Sequence, residues 1–164
     1  MIDSRIDSVT IQRVEKLHPR IKPIVFDNLS KCIDMKVPIR IVQGLRTVDE
    51  QNALYAQGRT TPGPIVTKAK GGDSWHNYGL SFDFCLLRNG KAISWNREED
   101  LDGDGQKDWS EVVNLFILTG FDWGGNWTSF PDYPHIQKLF GLTLSKAKKL
   151  LADKKVDSNG YIIF

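Results

Sequence analysis

The sequence predicts an α+β protein in which helices pack on a small antiparallel sheet. Three observations lead there. Between residues 20 and 35, Ile21, Ile24, Val25, Leu29, Cys32 and Ile33 recur at helical spacing and form one apolar stripe. Farther on, Leu80, Phe82 and Phe84 alternate with Ser81, Asp83 and Cys85, the pattern of a strand with one face in a core. Asn89-Gly90 is then a strong hairpin signal, so residues 92–95 are expected to return antiparallel to that strand.

The other elements follow in order. Residues 8–17 have weak helical character, ended by His18-Pro19, where a histidine is expected to cap the helix or face solvent. Val37-Pro38 stops the striped helix, and Ile39 to Gln43 is a short β-branched strand after which Gly44 lets the chain bend. Thr47-Val48-Asp49-Glu50 is a capping box opening a helix that Gly58 closes. Residues 59–73 carry Pro62, Pro64, Gly71 and Gly72 and read as a loop long enough to wall a cleft. An amphipathic helix runs from Trp109 to Thr119, closed by Gly120. Pro134 holds Tyr133 extended, and His135-Ile136-Gln137 reads as a final strand. From about residue 143 a basic helical tail ends in Tyr161-Ile162-Ile163-Phe164, an apolar run expected to pack back or to meet a partner.

At 164 residues the chain is expected to be one domain, 1–164, able to bury a real core. A net charge of +2 argues against a dedicated nucleic-acid surface. Met1 to Arg5 has no apolar core of the signal-peptide kind, and no stretch is long and apolar enough to cross a bilayer. The expectation is a monomer without membrane insertion, kept in the cytoplasm until released. Cys32 and Cys85 sit in apolar patterns and read as buried thiols, although Cys85 lies only two residues from Asp83.

The chemistry gathers in Ser74-Trp75-His76-Asn77-Tyr78-Gly79-Leu80-Ser81-Phe82-Asp83. It supplies a histidine and, seven residues on, a carboxylate that needs a partner, because an unpaired buried charge is costly. Gly79 permits a turn that brings the two together. Asp132-Tyr133-Pro134-His135 offers a second histidine with a carboxylate three residues before it. Two histidines, one carboxylate and a further carboxylate suit a catalytic zinc ion: three protein ligands, an open position for water, and a group to handle its proton.

These two stretches resemble the Ser-x-His-x-x-Gly-x-Ala-x-Asp motif and the acidic-x-Pro-His box of the D-alanyl-D-alanine carboxypeptidase family of zinc peptidases. Ser81 stands where the family usually has Ala, and Asp132 where it commonly has Glu. The Asp variant resembles the phage endolysin branch, which cuts the L-alanyl-D-glutamate bond of peptidoglycan stems. The resemblance implies that His76, Asp83 and His135 are zinc ligands, that Asp132 is the general base, and that bacterial peptidoglycan is the substrate. Gln43-Gly44-Leu45-Arg46-Thr47 is similar to the family's Gly-aromatic-Arg-Ser element, with Leu45 in place of the aromatic. That implies that Arg46 stabilises the oxyanion or holds a substrate carbonyl. Phe121 to Trp127 resembles the Trp-Gly-Gly-Asp-Trp element of wall-cutting relatives, with Asn126 for Asp; Trp123 and Trp127 are core residues or line the substrate groove, and Ser74 also faces substrate in this reading. Two rivals are a D-Ala-D-Ala carboxypeptidase or dipeptidase, and a non-catalytic zinc module like the hedgehog signalling domain. Retention of Asp132 and Arg46 argues against the second, since a binding module needs neither.

One further stretch, Asp100 to Glu111, is an insertion that fills the EF-hand calcium pattern. Asp100, Asp102, Asp104 and Asp108 occupy loop positions 1, 3, 5 and 9, Gly105 position 6, Gln106 the backbone-ligand position 7, and Glu111 position 12. Lys107 departs from the pattern, and the chain has no second loop to pair with this one. The competing reading is a solvated acidic loop that caps the next helix. A bound Ca²⁺ is expected, and with it a calcium-regulated activity.

Overall fold

The computed structural model describes residues 2–164. Helix α1 (Ser8–Val14) opens where Asp7 accepts a hydrogen bond from the Thr10 amide. Helix α2 (Lys22–Asp34) starts on Pro23, whose fixed φ suits a first turn, and buries Val25, Leu29 and Cys32 as its stripe requires. Strand β1 (Ile39–Gln43) follows, and Thr47 and Glu50 form the expected reciprocal box at the start of helix α3 (Val48–Ala56). A 3₁₀ turn, Trp75–Tyr78, leads into the long strand β2 (Ser81–Arg88) and the short β3 (Ala92–Ser94). Helix α4 (Asp108–Leu118), strand β4 (Asp122–Trp123), a 3₁₀ turn at Gly124–Asn126, strand β5 (His135–Gln137) and helix α5 (Leu144–Ala152) complete the chain.

The strands make one antiparallel sheet in the order β1-β2-β5-β4. β2 is its axis: β1 lies along one edge, while the other edge is shared by β5 near Ser81–Asp83 and by β3 near Leu86–Arg88. On one face Phe82 meets Phe116 and Phe121, and Phe84 meets Trp109 at 4.5 Å, which seats α4 on the sheet. Ser81 and Cys85 on the opposite face are also fully buried, so the strand expected to have one core face is covered on both. Arg13 of α1 donates to the Ile41 carbonyl, and Arg40 pairs with Asp7, bringing α1 against that second face.

Two further expectations change. His18, read as a cap or surface group, is buried: its Nε2 lies 3.0 Å from the Ile162 carbonyl, and its ring meets those of Tyr161 and Phe164. The tail therefore packs back onto the fold, tied by a Val156–Ile162 bridge and by Tyr161 donating to the Lys16 carbonyl. Helix covers only residues 144–152 of it: the helix closes at Asp153 with Lys154 at φ +53, and the chain turns again at Asp157–Gly160, where Asp157 accepts from the amides of Asn159 and Tyr161. No helix among the described residues is long and apolar enough to cross a membrane.

Candidate active site

The site forms where three chain segments meet beside β2. Asp83 and His135 are directly opposed across the β2–β5 pair, which sets His135 Nδ1 3.2 Å from Asp83 Oδ1. His76 arrives from the 3₁₀ turn, which Ser74 caps by accepting from the His76 amide. Its Nε2 lies 3.4 Å from the same Asp83 oxygen, and its Nδ1 lies 2.8 Å from the Gly44 carbonyl. Gly79 ends the turn at φ +65, and a Cβ there would come within 2.9 Å of the His18 amide nitrogen. Gly124 is needed for a different reason: a Cβ would sit 2.5 Å from the Asp132 carbonyl and 3.0 Å from His135 Cβ.

Hydrogen bonding prepares these side chains for a cation. A carbonyl oxygen can only accept, so Gly44 holds the proton on His76 Nδ1 and leaves the Nε2 lone pair facing Asp83. His135 makes its other contact, Nε2 to Gln137 Oε1, at 3.1 Å. One ligand atom from each of His76, Asp83 and His135 lies within 4.8 Å of the others, and both imidazoles are buried. Burial alone would raise the Asp83 carboxyl, but whenever the facing imidazole nitrogens carry protons, hydrogen bonds from His135 and His76 outweigh it and hold the group well below the usual carboxylate range. Two nitrogens and one carboxylate oxygen are a donor set that zinc accepts.

A cleft of about 510 Å³ opens over this cluster, lined by Arg46, Ser74, Asp132, Trp127 and the wall residues Val66 to Ala69. Burial raises the Asp132 carboxyl, the Asp83 charge adds to the effect, and His135, His76 and Arg46 offset part of it. Arg46 is fixed twice: its amide donates to the His76 carbonyl at 3.0 Å, and its Nη1 donates to Gln51 Oε1 at 2.7 Å. Burial lowers its pKa, opposed by Asp83, Glu50 and Asp132, and a guanidinium keeps its charge throughout. Gln51, fully buried on α3, also donates to the Ala69 carbonyl and so ties the arginine to the cleft wall. Sequence reasoning passed over Gln51; a glutamine one turn before Leu54, on the same helix face, was the available signal.

The two tryptophans part company. Trp127 is 37% exposed, lines the cleft, and holds its ring 5.1 Å from that of His135. Trp123 instead donates its Nε1–H to the Tyr133 carbonyl and packs against the core, away from the main cleft. Cys85 takes no part, since burial pushes its thiol up to about 11 and it stands beside Arg40 rather than the histidines.

The acidic insertion lies outside this cleft. Asp100 accepts from the amides of Gly103, Asp104 and Gly105, and Asp104 from that of Gln106. Asp100, Asp102 and Asp108 form one close carboxylate group, and Asp102, Asp104 and Glu111 another. Glu111 Oε2 is buried with no hydrogen-bond partner, and burial with the neighbouring acids raises both Asp108 and Glu111. Three residues before the insertion, Arg97 lies 3.5 Å over the ring of Tyr133, which stands between Asp132 and His135 in sequence.

Comparison with known proteins gives the chain's relatives. A family model described as D-alanyl-D-alanine carboxypeptidase matches residues 67–138. The peptidoglycan L-alanyl-D-glutamate endopeptidase CwlK of Bacillus subtilis (strain 168) is 42% identical over 123 residues, covering 75% of this chain and 74% of that protein. The L-alanyl-D-glutamate peptidase of Listeria phage A118 is 25% identical over 94% of this chain and 53% of its own length. The crystal structure of Serratia marcescens L-Ala D-Glu endopeptidase ChiX shares the fold at a TM-score of 0.56 and 18% identity, over 81% of this chain and 88% of that one. With its motifs gathered at one cleft and a curated relative matched along three quarters of its length, this chain belongs to the D-alanyl-D-alanine carboxypeptidase family of peptidases.

Proposed function

We propose that the chain is a zinc-dependent endopeptidase that hydrolyses the L-alanyl-D-glutamate bond of bacterial peptidoglycan stem peptides. The observation that carries this reading is that one cleft collects a three-ligand group, a carboxyl of raised proton affinity and a buried arginine. The choice of bond follows the Bacillus relative. His76, Asp83 and His135 would hold the zinc. Zinc in such a site lowers the pKa of a bound water to about 7 and polarises a carbonyl.

The chain's own residues do the rest. Asp132 takes the proton from the attacking water and returns it to the leaving amine, a task for which a raised carboxyl pKa is better matched than an ordinary one. Arg46, held by Gln51, offers a fixed cation to the developing oxyanion. Trp127 and the residue 66–69 wall flank the peptide, while Ser74 holds the histidine turn and Trp123 supports the Tyr133 backbone. All these groups come from residues 46–135, which supports a single catalytic domain, and the proposal takes it to work as a monomer.

The test is digestion of cell walls of known composition by zinc-loaded protein, with the new termini identified. New L-alanine carboxyl ends and D-glutamate amines are expected. Release of D-alanine alone would instead make the protein a carboxypeptidase.

A second cation, calcium, is proposed for Asp100, Asp102, Asp104, Asp108 and Glu111 with the Gln106 backbone, regulating the enzyme. The orphaned, buried Glu111 oxygen is the observation that favours it. Ordering the loop would steady Arg97 on Tyr133, and through it the segment from Asp132 to His135. Calcium titrated into chelator-treated, zinc-loaded protein should raise wall hydrolysis in step with binding. A rise in melting temperature with flat turnover would make the ion structural only.

A further inference from the structure

We propose that Gln137 is a positioning residue for the metal centre, holding His135 so that its Nδ1 lone pair faces the ion. The inference rests on the zinc reading above and adds to it a residue outside the ligand set. The local geometry comes straight from the strand. Residues two apart on a strand share a face, so His135 and Gln137 stand side by side while Ile136 between them points into the core. The imidazole and the amide are both nearly inaccessible, at 5% and 8% exposure, and His135 Nε2 lies 3.1 Å from Gln137 Oε1.

The chemistry then has one self-consistent arrangement. An amide oxygen can only accept, so His135 must carry its proton on Nε2 to satisfy this contact. That leaves Nδ1 free of hydrogen, 3.2 Å from Asp83 Oδ1. His76 is arranged in the mirrored sense: the Gly44 carbonyl holds the proton on Nδ1, and Nε2 faces Asp83. A main-chain carbonyl thus orients one histidine and a side-chain amide the other. The first cannot be removed by substitution, but the second can. Ser81 is the residue directly opposite Gln137 on β2, and its hydroxyl is buried without a partner. Directly opposed side chains lie on one face of the pair, so Ser81 and Gln137 stand on the same face as Asp83 and His135, while the Gln137 amide oxygen serves His135.

Outer partners of this kind typically contribute roughly 10- to 100-fold in metal affinity. The experiment compares the wild-type protein with Gln137→Leu, which removes the acceptor, and Gln137→Glu, which keeps one. Zinc affinity is measured by chelator competition, and the His135 Nε2–H is followed by ¹⁵N-resolved NMR in the zinc-loaded protein. Gln137→Leu should bind zinc roughly 10- to 100-fold more weakly and lose the slowly exchanging Nε2–H signal. Gln137→Glu should restore both. Wild-type affinity with a protected Nε2–H in Gln137→Leu would overturn the assignment, as would equal loss in both variants, which would mean that residue 137 acts through packing alone. Failure of the wild-type protein to bind zinc at all would strike the zinc reading instead, so the two outcomes are separable.

Discussion

Two acidic regions of this protein gather close ligand atoms, and they are built in opposite ways. The His76–Asp83–His135 group sits on paired strands and a capped turn, each imidazole buried and already hydrogen-bonded on its far side. In the Asp100–Glu111 insertion the aspartates accept from the loop's own amides, Glu111 keeps a buried oxygen without a partner, and burial with the neighbouring aspartates raises both Asp108 and Glu111. In the first region folding has oriented the donor atoms in advance. In the second, like charges crowd together and a cation would relieve them. The difference predicts that the first tolerates loss of its ion without losing shape, whereas the second depends on an ion for its order.

The largest effect should come from breaking the prepared site. Changing His76→Ala should abolish stoichiometric zinc and all wall hydrolysis, and metal analysis with circular dichroism should find the fold intact. A variant lacking His76, Asp83 and His135 together that still carried one zinc per chain would falsify the ligand assignment. Next comes Asp132→Ala, which leaves the ligands in place. Zinc should be retained while turnover falls roughly 10²–10⁴-fold, the usual share of a general base. Arg46→Ala removes the fixed cation, and a loss of roughly 10²–10³ in kcat is expected. If Arg46→Ala raised KM alone, the guanidinium would be a binding group and not an oxyanion donor.

Effects in the loop should be smaller and should appear first in stability. Saturating calcium, at about 100 times its Kd, would stabilise the fold by about 2.7 kcal/mol, and Asp102→Ala with Asp104→Ala should erase that shift while zinc stays bound. An unchanged melting temperature in wild-type protein with and without calcium would dispose of the loop as a cation site. The smallest effect concerns pH in the presence of chelator. Because Asp108 and Glu111 are raised on folding, the folded chain holds their protons more tightly than the unfolded chain does. Their contribution therefore favours folding at acidic pH and is lost as pH rises from the ordinary carboxylate range through the raised values. Asp108→Asn should flatten that part of the melting curve, and added calcium should reverse its slope; a curve indifferent to both would show that the two groups are not strained.

How much of this was legible beforehand depends on the range of the interaction. The Thr47–Glu50 box, the β-branched strand before Gly44 and the Asn89-Gly90 hairpin were legible because each is set by neighbours a few residues apart. Strand β4 was not. Two residues have too little periodicity to announce a strand, and Asp122-Trp123 becomes one only because β5 offers it an edge. His18 was misread because a histidine before proline carries no local sign of a tail that returns from more than 140 residues away. Trp123 and Trp127 look alike in sequence, and only the Tyr133 carbonyl separates a strut from a cleft residue.

The sequence by itself determined which atoms are available for chemistry: two histidines, an aspartate on a strand, a second aspartate ahead of a proline, and an arginine after a bend. It also determined that most of them lie on short, punctuated elements, since caps, glycines and prolines act within a turn. Only the tertiary structure decided which nitrogen of each histidine faces Asp83. That choice depends on the Gly44 carbonyl 32 residues away for His76, and on a strand register joining residues 52 apart for His135. Such contacts form when the order of strands in the sheet is settled by burial of Phe82, Phe84 and Ile136 against α4 and the rest of the core. No local pattern encodes that order.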